Sequence, residues 1–114
     1  MPDETSSMRI ELAPTFQRQL KRLAKRYRNI RKDIEPITQQ LAAGHMIGIQ
    51  VPSIDYPVYK VRIKNSDIQK GKSAGYRLIY YLKAADLIIL LTIYSKADQA
   101  NISTSEIENI LTEM

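Results

Sequence analysis

The chain has 114 residues, 44% of them hydrophobic and 25% charged, a composition typical of globular proteins and long enough for one sizeable core. It contains no cysteine, which excludes disulfides, thiolate metal sites and a cysteine nucleophile. The net charge of +5 favours an anionic partner, and no apolar run approaches the ~20 residues of a membrane span. The opening MPDETSSM is acidic and polar, unlike a signal or transit peptide, so a cytoplasmic protein without membrane contact is expected. It reads as one domain over 1–114, with 1–8 as a flexible tail.

Residues 9–13 (RIELA) alternate and predict a short first strand. Pro14 and Thr15 mark a helix start, because proline is tolerated in a first turn. Phe16, Leu20, Leu23, Ala24, Tyr27 and Ile30 then recur at steps of three and four, an apolar helical stripe. Arg18, Lys21, Arg22, Lys25, Arg26, Arg28, Arg31 and Lys32 fill the other faces. A second helix carries Ile34, Ile37 and Leu41, with Pro36 in its first turn and Gly44 as C-cap. The two form an antiparallel hairpin, one long bent helix being the alternative.

Residues 45–56, with Gly48 and Pro52, read as a loop. Residues 58–63 alternate, so Lys60 and Arg62 share a strand face, about 7 Å apart. A basic, glycine-bearing loop follows, with Lys64, Lys70 and Lys72. The next strand, 76–82, puts Arg77, Ile79 and Tyr81 on one side and Tyr76, Leu78 and Tyr80 on the other. Residues 84–86 turn into 87–94, the most apolar segment and the expected central strand, covered on both faces. Ser103-Thr104-Ser105-Glu106 matches a capping box opening a short acidic helix. The expected fold is α+β: an N-terminal strand and helical hairpin on a mostly antiparallel four-stranded sheet, with a short C-terminal helix.

The residues exclude several chemistries. One histidine, His45, past a helix end, suits a helix C-terminus or solvent better than catalysis. One histidine and no cysteine cannot close a zinc shell, so no metal is expected. Lys70-Gly71-Lys72-Ser73 resembles the end of a phosphate-binding loop, but Ser66 stands where its first glycine is required and a strand follows. What remains is a set of cations on and around the strands: Lys60, Arg62, Arg77 and Lys96. They suit an RNA phosphate, above all one gaining charge in a transition state. Tyr76, Tyr80, Tyr81 and Tyr94 offer rings for an unpaired base or for the core.

Over "VYKVRIKNSDIQKGKSAGYRLIYYL" and "LLTIYSKADQANIS" the chain resembles the RelE/ParE superfamily of toxins from type II toxin–antitoxin pairs, especially the HigB- and RelE-like ribosome-dependent ribonucleases. The resemblance implies cleavage of mRNA in the ribosomal A site by attack of a 2′-OH on the neighbouring phosphate, which inhibits translation. It places Lys60, Arg62, Arg77 and Lys96 in the catalytic set, to which Tyr94 is added as a candidate; Lys64, Lys70, Lys72 and Tyr76 are expected on the RNA. Arg18, Lys21, Arg22, Lys25 and Arg26 would dock ribosomal RNA, or simply form a solvated helix face. No cofactor is implied. The implied partners are the ribosome with its mRNA and an acidic antitoxin that converts a monomeric toxin into a hetero-oligomer.

The sequence departs from the family pattern at Ala97, where RelE proteins carry arginine, and it lacks their late tyrosine near Ile102 or Ser103. Tyr94, Lys72 and Lys96 remain open as proton-transfer groups, and so does catalysis by positioning alone. Two rival readings are a ParE-like inhibitor of DNA gyrase and a non-catalytic RNA- or ribosome-binding module.

Overall fold

The computed structural model describes residues 7–68 and 74–114. Strand β1 (Arg9–Leu12) leads into helices α1 (Pro14–Arg26) and α2 (Ile30–Ala42). Then come β2 (Ile49–Gln50), β3 (Val58–Ile63), β4 (Tyr76–Ala84), β5 (Leu87–Ser95) and α3 (Thr104–Leu111). The sheet order is β1-β5-β4-β3-β2; β1 runs parallel to β5 and all other neighbours are antiparallel. Among the described residues no helix is long and apolar enough to cross a membrane. The expected tail at 1–8 falls mostly outside the described residues, but Met8 donates its N–H to the Ala42 carbonyl at 2.8 Å.

The expected α+β architecture is present, with five strands rather than four. The fifth, β2, lies inside the stretch read as a loop. Two exposed residues give no alternation to detect, and Gly48 is what lets the backbone approach β3 so closely. Gly48 has φ +94°, and a Cβ there would collide with the Lys60 carbonyl and stand 2.9 Å from Val61 Cγ2. Only glycine accepts both the dihedral and the approach.

Pro14 starts α1 as anticipated. Its stripe buries Phe16 and Leu23 and continues into Tyr27 and Ile30, so the chain breaks after Arg26 and restarts at Ile30. This early restart corrects the position of Pro36, which lies well inside α2 rather than in its first turn. Pro36 is exposed, so the carbonyl whose partner it removes can be served by water. Helix α2 ends in a Schellman cap. Gly44 takes φ +95°, its N–H donates to the Leu41 carbonyl at 3.0 Å, and the His45 N–H donates to the Gln40 carbonyl at 3.0 Å. His45 thus contributes backbone to the cap.

The two faces of the sheet bury separate cores. The helical hairpin covers one face, where Tyr76, Leu78 and Tyr80 of β4 meet Phe16, Ile30 and Leu41. Helix α3 covers part of the other, setting Ile107 and Ile110 near Val58, Ile79 and Ile89. Strand β5 lies between β1 and β4 and all nine of its residues are buried. That explains its unbroken apolarity, since each fully buried aliphatic side chain contributes about 1.5–3 kcal/mol. Ser103 caps α3 by accepting the Glu106 N–H on Oγ at 3.1 Å.

A β-bulge decides where β5 points its last residues. Ile79 pairs with Thr92 but Tyr80 pairs with Leu90, which leaves Leu91 as an extra residue. Strict alternation from Leu87, Ile89 and Leu91 would turn Tyr94 toward the helices. The bulge shifts the phase, so Tyr94 lies opposite Arg77, on the face away from the helical hairpin.

Candidate functional site

Beyond the part covered by α3, this second face carries cations. Arg62 pairs with Arg77, and Arg77 with Tyr94, so the three form one row across β3, β4 and β5. The adjacent row runs Ile49, Lys60, Ile79, Thr92. Residues directly opposite share a face, so Lys60, Arg62, Arg77 and Tyr94 all belong to one surface.

Their exposures differ. Arg62 is exposed, Lys60 and Lys96 are half-buried, and Arg77 and Tyr94 are each only 6% exposed. Arg77 donates from Nη1 to the Tyr76 carbonyl at 3.2 Å. Arg77 forms a charged floor, with Arg62, Lys60 and Lys96 above it as the groups an incoming anion meets first. Arg62 stands directly opposite Arg77, a placement of like charges that a sheet generally disfavours.

The electrostatics agree with that layering. Burial, followed by the charges of Arg77, Lys96 and Arg62, holds the Lys60 ammonium below the ordinary lysine value. Burial raises the Tyr94 phenol above the usual tyrosine value; Arg77 opposes the shift and Glu106 of α3 adds to it. Tyr94 thus holds its proton more tightly than a free tyrosine does. Its hydroxyl is buried and has no hydrogen-bond partner among the described residues. Lys60 Nζ donates to Asn101 Oδ1 at 3.0 Å.

The other anticipated residues are distributed as follows. Lys64 is exposed just past the end of β3, while Lys70 and Lys72 lie outside the described residues. Tyr76 is 0% exposed and faces the helices, packed edge-on against Tyr27 at 5.8 Å, so it is not brought to the cationic surface. Arg18, Lys21, Arg22, Lys25 and Arg26 are exposed on α1, across the sheet from the row. Arg26 is engaged there: its Nη1 meets Asp98 Oδ2 at 2.7 Å and its guanidinium lies 4.9 Å from the centre of the Tyr27 ring.

Three contributors escaped sequence reasoning. Asn101 sits in a loop that gives no pattern. Glu106 was read only as a cap residue. Ile49, 72% exposed opposite Lys60, lay in the unrecognised strand. Cavities of about 430 Å³ beside Phe16 and Ile34 and about 400 Å³ beside Tyr81 and Leu111 both lie away from the row. The row is a surface suited to an extended anionic strand. Among the described residues no cluster of metal-ligating side chains occurs.

The fold and this face define a small α+β protein with cations gathered on one surface of its sheet. Residues 10–100 match the family model described as the ParE toxin of the type II toxin–antitoxin system, parDE. The chain belongs to this toxin family, within the RelE/ParE superfamily. No curated protein matches it. Among solved structures it is similar to TrmO from Pseudomonas aeruginosa, with TM-score 0.48 and 17% identity over 82% of this chain and 37% of that one. The chain thus spans little more than a third of that structure's length.

Proposed function

We propose that this chain is the toxin of a type II pair and cleaves mRNA in the ribosomal A site, as the HigB- and RelE-like enzymes do. The observation that carries the reading is the convergence of Lys60, Arg62, Arg77 and Lys96, with all three other charges felt at the Lys60 ammonium. A phosphodiester gaining charge in its transition state relieves the repulsion among these cations.

The reaction is an internal transfer. The ribose 2′-OH gives up its proton as its oxygen bonds to phosphorus; the bond from phosphorus to the 5′ oxygen breaks and that oxygen takes a proton. The products are a 2′,3′-cyclic phosphate and a 5′-OH, with no change of oxidation state. Arg62 and Lys96 are the outer phosphate contacts, and Arg77 supplies positive potential from below. Lys60 is the base this reading assigns, its proton loosened by burial and by the neighbouring cations. Tyr94, held protonated, is a donor. The exposed basic face of α1 suits sequence-independent contact with ribosomal RNA. An acidic antitoxin segment suits the same row by charge complementarity and would silence the site by covering it.

Two observations favour a second reading. Ala97 follows Lys96 where RelE proteins place arginine, and the matching family model carries the ParE description, which fits gyrase inhibition. Inducing the chain in bacteria separates the two. The nuclease reading expects amino-acid incorporation to stop within minutes while DNA stays intact. Accumulating double-strand breaks with translation continuing would overturn it in favour of gyrase.

A further inference from the structure

The loop between β5 and α3 crosses the end of the sheet and is fixed at several points. The N–H groups of Asp98 and Gln99 donate to the Ser95 carbonyl at 3.0 and 3.1 Å, and Asp98 holds Arg26 of α1. Further along, Asn101 is fixed through both main chain and side chain. Its carbonyl accepts from Gln99 Nε2 at 2.9 Å, and its Oδ1 accepts the Ile102 N–H at 2.9 Å. A backbone N–H requires an acceptor, so this contact also sets which way the amide faces. The same oxygen takes the Lys60 Nζ at 3.0 Å.

We infer that Asn101 is a positioning residue for Lys60: its clamped Oδ1 holds the ammonium at the edge of the cationic row. A lysine stem has many rotamers, and repulsion from like charges pushes this one away from the row. The groups facing Lys60 are Arg62 on its own strand, Arg77 on β4 and Lys96 after β5, with Ile49 of β2 opposite. Tyr94 stands beyond Arg77, facing Glu106 of α3. Asn101 is the acceptor that offsets this crowd of cations without adding charge. A carboxylate in its place would hold the lysine but also attract the cations meant for phosphate.

The consequence for cleavage rests on the nuclease reading; the effect on Lys60 itself does not. The test is the titration of Lys60, followed by NMR of its side-chain Cε and Nζ in the full chain, in wild type, N101A and N101D. Removing the acceptor disfavours the charged form, so N101A lowers the Lys60 titration midpoint. The aspartate favours the charged form and raises it. The pH–rate profile for mRNA cleavage on ribosomes moves in the same two directions. At neutral pH, N101A lowers kcat about tenfold or more with little change in KM, the lost positioning outweighing the larger fraction of free amine, and N101D lowers it too because it raises the midpoint. An unchanged Lys60 midpoint in both variants overturns the inference, as does an N101A rate equal to wild type. If the wild type cleaves nothing, the nuclease reading fails and the titration alone decides the role of Asn101.

Discussion

At the scale of single residues, the row trades stability for charge. Lys60 binds its proton less tightly folded than unfolded, so the unfolded chain holds more protons between the lowered value and the ordinary one of 10.5. Its contribution is most favourable above that ordinary value and is lost as pH falls through the folded one. At neutral pH the crowded ammonium therefore weakens the fold. Lys60→Met keeps the stem and removes the charge. It should stabilise the protein by up to about 1 kcal/mol at pH 7, an advantage that shrinks above pH 10; urea unfolding at the two pH values measures it. Strand alternation made Lys60, Arg62 and Arg77 legible in the sequence, because side chains two apart share a face whatever surrounds them. Tyr94 could not be sided that way, since the extra residue at Leu91 inverts the phase and nothing in "LLTIYS" announces it. Asn101 was hidden for a different reason: a loop residue's partner is set by three-dimensional closure, with no period to read.

Among the elements, those with chemical punctuation were read to within a residue or two. Pro14 opens α1, Gly44 closes the cap of α2 and Ser103 opens α3, each through a hydrogen-bonding or dihedral reason local to the chain. Pro36 misled, because a proline rule assigns it to a first turn and only the burial of Ile30 pulls the helix start earlier. Strand β2 escaped because its two exposed residues carry no alternation and its approach to β3 depends on the missing side chain of Gly48. That gives a prediction for the element. Gly48→Ala should destabilise the protein by about 1–3 kcal/mol, the sum of a strained positive φ and a clash with the Lys60 backbone. Guanidinium unfolding would measure it, and a change under a few tenths of a kcal/mol would mean β2 adjusts freely. Because β2 pairs with β3 at Lys60, the substitution should also disturb the row.

For the molecule as a whole, segregation of charge along the chain becomes separation by layer. The basic helix face and the cationic sheet surface lie on opposite sides of the sheet, and the acidic α3 covers the remainder of the second side. The sequence showed two basic blocks; only the fold shows that the cations of α1 and those at Lys60, Arg62 and Arg77 look in opposite directions. Both faces of the sheet also hide tyrosines. Burial raises Tyr76, Tyr80 and Tyr94 above the ordinary value, and Tyr80 further donates its hydroxyl to the Ile47 carbonyl at 2.6 Å. Folded protein keeps protons that unfolded protein would release above pH 10, so these groups support the fold fully below pH 10 and progressively less as pH rises. Absorbance titration should show three of the seven tyrosines ionising only together with alkaline unfolding. All seven titrating smoothly near pH 10 with the fold intact would contradict the packing described.

The most direct test of the account mixes the purified chain with translating ribosomes and a defined message, maps the new 5′ ends and identifies the end groups. Lys60→Ala and Arg62→Ala, with Arg77→Met to fill the floor without its charge, are run beside it. The account predicts cuts at the A-site codon only when ribosomes are present, with 2′,3′-cyclic phosphate and 5′-OH ends. Each variant should cut at least tenfold more slowly. Ribosome binding without cuts, or cuts that persist undiminished in all three variants, would contradict it.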